Sequence, residues 1–372
     1  MSPSKEARVC VLLHSMAATS TTPTNQEVQA FRETLLADFK LMCLSREASL
    51  LGRKEVLTGK AKFGIFGDGK EMAQVALAKV LQPGDWRSGY YRDQTLMMAK
   101  GLLSVQQYFA ALYAHADVAA DPTSGGRQMG GHFATRTLED DGSWKDLMAE
   151  FNSSPDVSPT GAQMPRLVGL AQASKVFRAL PQLAASMETF TSGGNEIAIG
   201  TIGDASTSEG MFWESMNAAC VLEVPMLMSV WDDGYGISVP KKYQTVKESI
   251  STALSGFQRE EATNGLVIYR VKGWDYPSLV ATYEEAAKCC REDHVPVLVH
   301  VEEVTQPQGH STSGSHERYK SEERLAWAKE FDCIQKMSEF LLREGAATDD
   351  ELQALRKEAK KGVRAQQKAA WS

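Results

Sequence analysis

The sequence predicts an α/β fold, a parallel sheet with helices on both faces and helical extensions at its N- and C-terminal ends. Two observations carry this. Between Glu196 and Glu303 the apolar runs Ile197 to Ile202, Pro225 to Trp231, Leu266 to Val271 and Pro296 to Val301 alternate with helical stretches, the rhythm of strand–helix–strand units. On either side of this region apolar residues recur at helical spacing instead. Sheets of this kind bind ligands beyond the C-terminal ends of their strands.

Taken in order, residues 1–25 are rich in Ser and Thr and poor in acids. Such a stretch suits disorder, an extension ahead of Met16 or an organellar transit segment, and disorder is the preferred reading. A helical lead-in spans 26–60, where Phe31, Leu35, Phe39 and Met42 share one face and Leu50 and Leu51 follow. The main α/β domain is expected over 61–320. It opens on the bend Gly64-Ile65-Phe66-Gly67-Asp68-Gly69-Lys70-Glu71, which nearly spells a phosphate-binding loop. Glu71 stands where that motif needs a Ser or Thr hydroxyl for Mg²⁺, so ATP binding is rejected. Long polar segments at 117–131, 139–160 and 305–321 read as loops whose length points to function. From 322 to 372 the pattern is helical again. Trp327, Phe331, Ile334 and Leu341 fall on one face, a capping box stands at Thr348 and Glu351, and the basic tail from Arg356 to Lys368 reads as a solvated helix face.

Composition narrows the function classes. The 372 residues are 43% hydrophobic and 23% charged, with a formal net charge of −7. That balance argues against a nucleic-acid-binding surface, which needs clustered Lys and Arg. No apolar run is long enough to span a membrane. Six cysteines, at 10, 43, 220, 289, 290 and 333, show neither metal-ligand spacing nor a disulfide framework, which places the chain in a reducing compartment, the cytosol or a matrix.

The strongest local signal is Ile202-Gly203-Asp204-Ala205-Ser206-Thr207-Ser208-Glu209-Gly210, a strand ending in Gly-Asp before the start of a helix. Glycine lets a diphosphate approach the backbone, helix N-terminal amides face the anion, and the carboxylate is a hard ligand for Mg²⁺. Alone this is a common turn. A second strand ends in Asp232-Asp233-Gly234-Tyr235-Gly236, one crossover further on, so neighbouring parallel strands would bring Asp204 and Asp233 to the same sheet edge.

These two clusters resemble the thiamine-diphosphate fingerprint, Gly-Asp-Gly followed by Asn-Asn, of the α subunits of 2-oxo-acid dehydrogenases. Four further segments resemble the same family in order. They are Tyr91-Arg92; Gly126-Arg127-Gln128-Met129 with His132; Ser158-Pro159-Thr160-Gly161-Ala162-Gln163; and Gly309-His310-Ser311-Thr312-Ser313 with Tyr319-Lys320-Ser321. The branched-chain (2-oxoisovalerate) subgroup is the nearest in its His-Ser-Thr-Ser, Gly-Tyr-x-Ile-Ser and Asn217-Ala218-Ala219 segments. Val230 to Pro240 also looks like chains in which α and β portions are fused.

The resemblance implies the thiamine-diphosphate-binding fold and thiamine diphosphate with Mg²⁺ as cofactors. It places Tyr91, Arg92, Ser158, Thr160, Gly203, Asp204, Ala205, Ser206, Asp233, Tyr235 and His310 at the cofactor. Asp204, Asp233 and the Tyr235 carbonyl would hold the metal, and His310 would be catalytic. The implied reaction is decarboxylation of a 2-oxo acid with acyl transfer to the lipoyl domain of an acyltransferase component. It requires a β subunit, which supplies the glutamate facing the aminopyrimidine, so neither Glu71 nor Glu209 takes that role; two α and two β portions are expected. His132 reads as loop-ordering. Ser311 and Ser321 match positions that kinases modify in some relatives, with an unmodified loop as the default. The chain departs from the family pattern at Asp232-Asp233 for Asn-Asn, at Ala205 for the second glycine, and at Trp231, where some relatives carry a cation. Asp232-Asp233 and Ala205 keep a non-catalytic assembly subunit in view; a transketolase-like or non-oxidative enzyme using the same cofactor is disfavoured by the resemblance of the His310 loop to the lipoyl-transferring family, and a NAD-binding dehydrogenase is weaker still, for want of GxGxxG.

Overall fold

The computed structural model describes residues 24–371 apart from Met129. The expectation of disorder over 1–25 therefore falls almost wholly outside the described residues. Six parallel strands form the sheet: β1 (Trp86–Ser88), β2 (Asn152–Ser153), β3 (Ala198–Gly203), β4 (Met226–Trp231), β5 (Val267–Lys272) and β6 (Val297–Glu302), in the order β2-β1-β3-β4-β6-β5. The four strands read from the apolar runs each begin one residue later than predicted. For β4 and β6 the residue left out is Pro225 or Pro296, which has no N–H to offer the ladder. The short strands β1 and β2 were not foreseen. Two or three residues carry no periodicity, and β2 lies inside the segment read as a loop.

Alternation along the strands feeds two cores. Ile199, Leu227, Val297 and Val299 pack with α1 (Asn25–Leu57), α2 (Glu71–Val80) and α5 (Tyr276–Glu292). Their neighbours Ala198, Met226, Met228 and Leu298 pack on the opposite face with α3 (Gln163–Ala179) and α4 (Gly210–Leu222). Central strands covered on both faces must be apolar throughout, which is why they read as continuous runs.

The lead-in helix α1 starts from a capping box between Thr24 and Glu27 and buries Leu35, Phe39 and Met42, the predicted face. At the other end the single apolar face predicted for Trp327 to Leu341 is divided. Helix α6 (Glu322–Glu330) stops before Asp332, whose carboxylate accepts from the amides of Ile334 and Gln335 and so starts α7 (Cys333–Arg343). Trp327 stacks on Phe331, centroids 5.3 Å apart, while Ile334 and Leu341 enter the core. Aspartate is a strong N-cap, and here it outweighs the periodicity. Helix α8 (Asp349–Trp371) has the predicted Thr348–Glu351 capping box and keeps Lys357, Lys360, Lys361, Arg364 and Lys368 exposed. Among the described residues no helix is long and apolar enough to cross a membrane, and Cys43, Cys220, Cys289, Cys290 and Cys333 are unpaired.

Candidate active site

Parallel pairing sets the site. β3 and β4 are neighbours with Gly203 opposite Trp231, so the residues leaving both strands, Asp204 and Asp232-Asp233, emerge side by side at one sheet edge. A cavity of about 250 Å³ opens there. Of the residues singled out in the sequence, Tyr91, Arg92, Thr160, Gly203, Asp204, Ala205, Ser206, Asp233, Tyr235 and His310 line it, together with Tyr90, Gly236 and Ile237. Ser158 is not among the lining side chains; its hydroxyl lies 2.8 Å from Nε2 of His132. The loop carrying Gly126 to Gln128 is described, and Met129 lies outside the described residues.

The bend at 67–70 packs against the segments that carry Arg92 and Thr305. A methyl group at Gly69 (φ +88°) would lie 2.1 Å from the Thr305 carbonyl oxygen, and one at Gly67 would lie 2.5 Å from the Arg92 carbonyl oxygen. Only glycine permits such approaches. The side chain of Asp68 accepts from the Gln308 amide at 2.9 Å, tying the bend to the 305–321 loop. Instead of cradling a nucleotide, this near-phosphate-loop sends Lys70 inward: Lys70 is 1% exposed, and its Nζ lies 2.9 Å from Oδ2 of Asp233.

Each acid has its own environment. Burial, then the charges of Asp233 and Asp232, push the Asp204 carboxyl well above the ordinary range, and its Oδ2 is buried with no partner. For Asp233, burial is outweighed by the Lys70 and Arg92 charges, which hold it below the ordinary range; its Oδ1 accepts from the Tyr235 amide at 3.1 Å. Burial also opposes ionisation of Asp232, but hydrogen bonds from His300 (3.1 Å) and Lys241 (2.6 Å) prevail and lower its pKa. The guanidinium of Arg92 donates only to neutral acceptors: the Phe66 carbonyl at 2.5 Å, the His310 carbonyl at 2.9 Å and, with the amide oriented to satisfy its neighbours, Gln306 at 2.8 and 3.1 Å. Its charge thus remains directed at the cavity. Glu71 is bound by Arg46 and by the Gly69 amide, each at 2.7 Å, which leaves it no acid–base role here.

Two sequence expectations need correction, and two departures gain an explanation. A 3₁₀ turn, Ala205–Ser208, intervenes after Asp204, and α4 begins only at Gly210, so the amides next to the carboxylate belong to that turn. Lys70, noticed only as part of a rejected motif, proves to be a site residue; its signal was a lysine inside a Gly-rich bend, but the partner lies 163 residues away. Trp231 is fully buried between Tyr90 and Tyr283, so its position points into the core. Room for the Ala205 methyl comes from Gly236, where any Cβ would lie 2.8 Å from it.

His310 supplies a pH signature. Burial, reinforced by the Arg92 charge, brings its pKa from 6.5 down to about 4. The unfolded chain takes up this proton near pH 6.5 and the folded one resists it, so stability declines as pH falls from 6.5 towards 4. Melting curves over that range are expected to fall less steeply for His310→Asn than for the unaltered chain. Parallel curves would show that the ring is not held neutral.

Comparison with known proteins agrees with this geometry. A family model described as the dehydrogenase E1 component matches residues 40–372. The α subunit of 2-oxoisovalerate dehydrogenase from Bacillus subtilis (strain 168) is 28% identical over 332 residues, which cover 88% of this chain and 85% of that protein. The mitochondrial 2-oxoisovalerate dehydrogenase α subunit of Mus musculus is 25% identical over 334 residues, 89% of this chain and 66% of that protein. The α subunit of the pyruvate dehydrogenase E1 component from Acholeplasma laidlawii is 25% identical over 331 residues, 88% of this chain and 81% of that protein. With a match over nearly its whole length, the chain belongs to the dehydrogenase E1 component family.

Proposed function

We propose that the chain is the α part of a 2-oxo-acid decarboxylating dehydrogenase that binds thiamine diphosphate through Mg²⁺ and works with a β subunit. The observation that carries this reading is the convergence of Asp204, Asp233, Arg92 and His310 on one cavity at the ends of adjacent parallel strands. Family membership implies thiamine diphosphate. The buried, unpartnered Oδ2 of Asp204 fits a cation, and the uncommitted Arg92 charge fits an anion. Among the described residues no group of three or more His, Cys, Asp or Glu side chains is placed to hold a metal. Mg²⁺ would therefore combine Asp204, Asp233 and the Tyr235 carbonyl with diphosphate oxygens, an all-oxygen set suited to that ion.

When bound, thiamine diphosphate supplies the nucleophilic carbon and the electron sink that decarboxylation of a 2-oxo acid needs. This chain's residues supply binding and orientation. Arg92, fixed through three neutral acceptors, would hold the diphosphate. His310, neutral at physiological pH, has a ring that can accept or donate a proton beside the reacting centre. Ile237 of the cavity lining and, in the segment that follows it, Val239, Tyr243 and Val246 are exposed, the last two at 73% and 64%, apolar surface suited to a β subunit. The acyl acceptor would be the lipoyl domain of an acyltransferase component. Branched-chain 2-oxo acids are the proposed substrates, as the names of two of the relatives suggest.

The test is turnover by the chain assembled with its β partner, thiamine diphosphate and Mg²⁺, read as CO₂ release and as acylation of a lipoyl domain. Branched-chain 2-oxo acids are expected to outperform pyruvate. Preference for pyruvate would reassign the substrate, and no turnover by an intact complex would leave an assembly subunit.

A further inference from the structure

Lys70 is the least expected charge in the molecule. It is nearly inaccessible, its one ion pair among the described residues is with Asp233, and its only other hydrogen-bond acceptor is the Thr305 carbonyl at 3.4 Å. A buried ammonium is costly unless paired, so its placement needs a reason. The surroundings are built for it. Gly69 allows the bend to press on Thr305, and the Asp68 side chain grips the Gln308 amide, so Lys70 is delivered from a clamped turn.

The reason lies in the charge of the cavity. Three buried carboxylates, Asp204, Asp232 and Asp233, influence one another at the end of β3 and β4. A cavity that is to receive a diphosphate gains nothing from three uncompensated anions. Asp232 is neutralised by Lys241. Asp233 is neutralised by Lys70, with Gln306 donating to the same oxygen at 3.2 Å. Asp232 Oδ1 and Asp204 Oδ2 are both buried without a partner, but among the described residues only Asp204 of the three has no lysine paired to its carboxylate.

We propose that Lys70 is a cofactor-positioning counter-ion: paired with Asp233 it forms a neutral unit that does the work of an amide side chain, leaving Asp204 alone to balance the metal. The proposal rests on the thiamine-diphosphate reading above and deepens it. It also accounts for the Asp-Asp sequence, since an aspartate at 233 is tolerable only where a lysine reaches it. Lys70 acts through Asp233 and is not a catalytic residue.

Lys70→Gln, Asp233→Asn and the double variant, each assembled with the β partner, provide the test. Thiamine diphosphate with Mg²⁺ is titrated calorimetrically, and cofactor-free complexes are melted in parallel. Lys70→Gln is expected to weaken binding by about tenfold and to lower the melting temperature, while the double variant recovers binding to within about threefold of the unaltered complex, the signature of a directly coupled pair. Asp233→Asn alone is expected to lower the melting temperature, because it strands the lysine. Wild-type affinity in Lys70→Gln, or losses that simply multiply in the double variant, would overturn the proposal. Where Lys70→Gln does not fold, recovery of a folded, cofactor-binding complex by the double variant supports the pairing and its failure overturns it. If the unaltered complex binds no thiamine diphosphate, the cofactor reading falls and takes this role with it; intact wild-type binding with uncoupled variants sinks the pairing alone.

Discussion

Replacing Asp204 by alanine, in the chain assembled with its β partner, is expected to abolish measurable binding of thiamine diphosphate with Mg²⁺. Asp204 sits at the end of β3 with its Oδ2 buried and unpartnered, and among the described residues it is the one of the three clustered acids with no lysine paired to it. Burial and two neighbouring carboxylates make its charge costly until a cation arrives. Removing a group that merely supports a metal ligand already costs about 10- to 100-fold in affinity, and loss of a ligand itself should cost at least ~100-fold. Calorimetric titration reads the affinity. A melt of the cofactor-free complex provides the control, because removing a strained acid should leave the apo protein no less stable. Retained affinity would exclude Asp204 from the metal site, and a collapsed apo protein would mark it as structural.

The largest expected loss of stability belongs to Arg87. Fully buried on β1, it reaches Asp93 Oδ2 through Nε at 2.6 Å, Asp156 Oδ2 at 3.0 Å and the Ser153 hydroxyl at 2.8 Å, while Thr201 on β3 donates to the same Asp93 oxygen at 2.6 Å. This network ties β1, β2 and β3 together at the point where Tyr91 and Arg92 leave the sheet. Breaking a buried ion pair by removing one partner costs about 3–5 kcal/mol, because the other charge is left uncompensated. Arg87→Met strands two carboxylates and belongs at the upper end of that range. Burial already raises Asp93 to about 6 despite the arginine. Without Arg87, Asp93 would hold its proton to still higher pH in the folded state than in the unfolded one. The deficit of the variant should therefore be largest at neutral pH and shrink as pH falls towards 5. Denaturation at pH 7.5 and 5 measures both points; a deficit independent of pH would attribute the loss to packing, and none at all would remove Arg87 as the clamp of this sheet edge.

The charged groups of the site were legible to different degrees. Asp204 and Asp233 could be read because each follows an apolar run, and the crossover between them implied adjacent parallel strands. Arg92 and His310 could be named through family resemblance, but not what their side chains touch. Lys70 was misjudged because its meaning depends on a partner 163 residues away and on two glycines that let a turn press against a distant carbonyl. Ser158 carried a motif match, yet its hydroxyl faces His132 outside the cavity lining.

By itself the amino-acid sequence determined the parallel α/β class, four of the six sheet strands to within a residue, the capping box at Thr348 and Glu351, and the family fingerprint. These features are encoded locally, in apolar periodicity, in proline's missing donor and in short polar motifs. Only the tertiary structure decided the short strands β1 and β2, the break at Asp332, the delayed start of α4 and the charge balance of the cavity. Strands of two or three residues carry no local signal, and here Arg87 on β1 braces them, reaching Ser153 on β2 and, through Asp93, Thr201 on β3. Whether a buried aspartate is a liability or half of a neutral pair depends on which cation the fold carries to within about 3 Å of it, the reach of a charge-assisted hydrogen bond, and sequence spacing does not contain that distance.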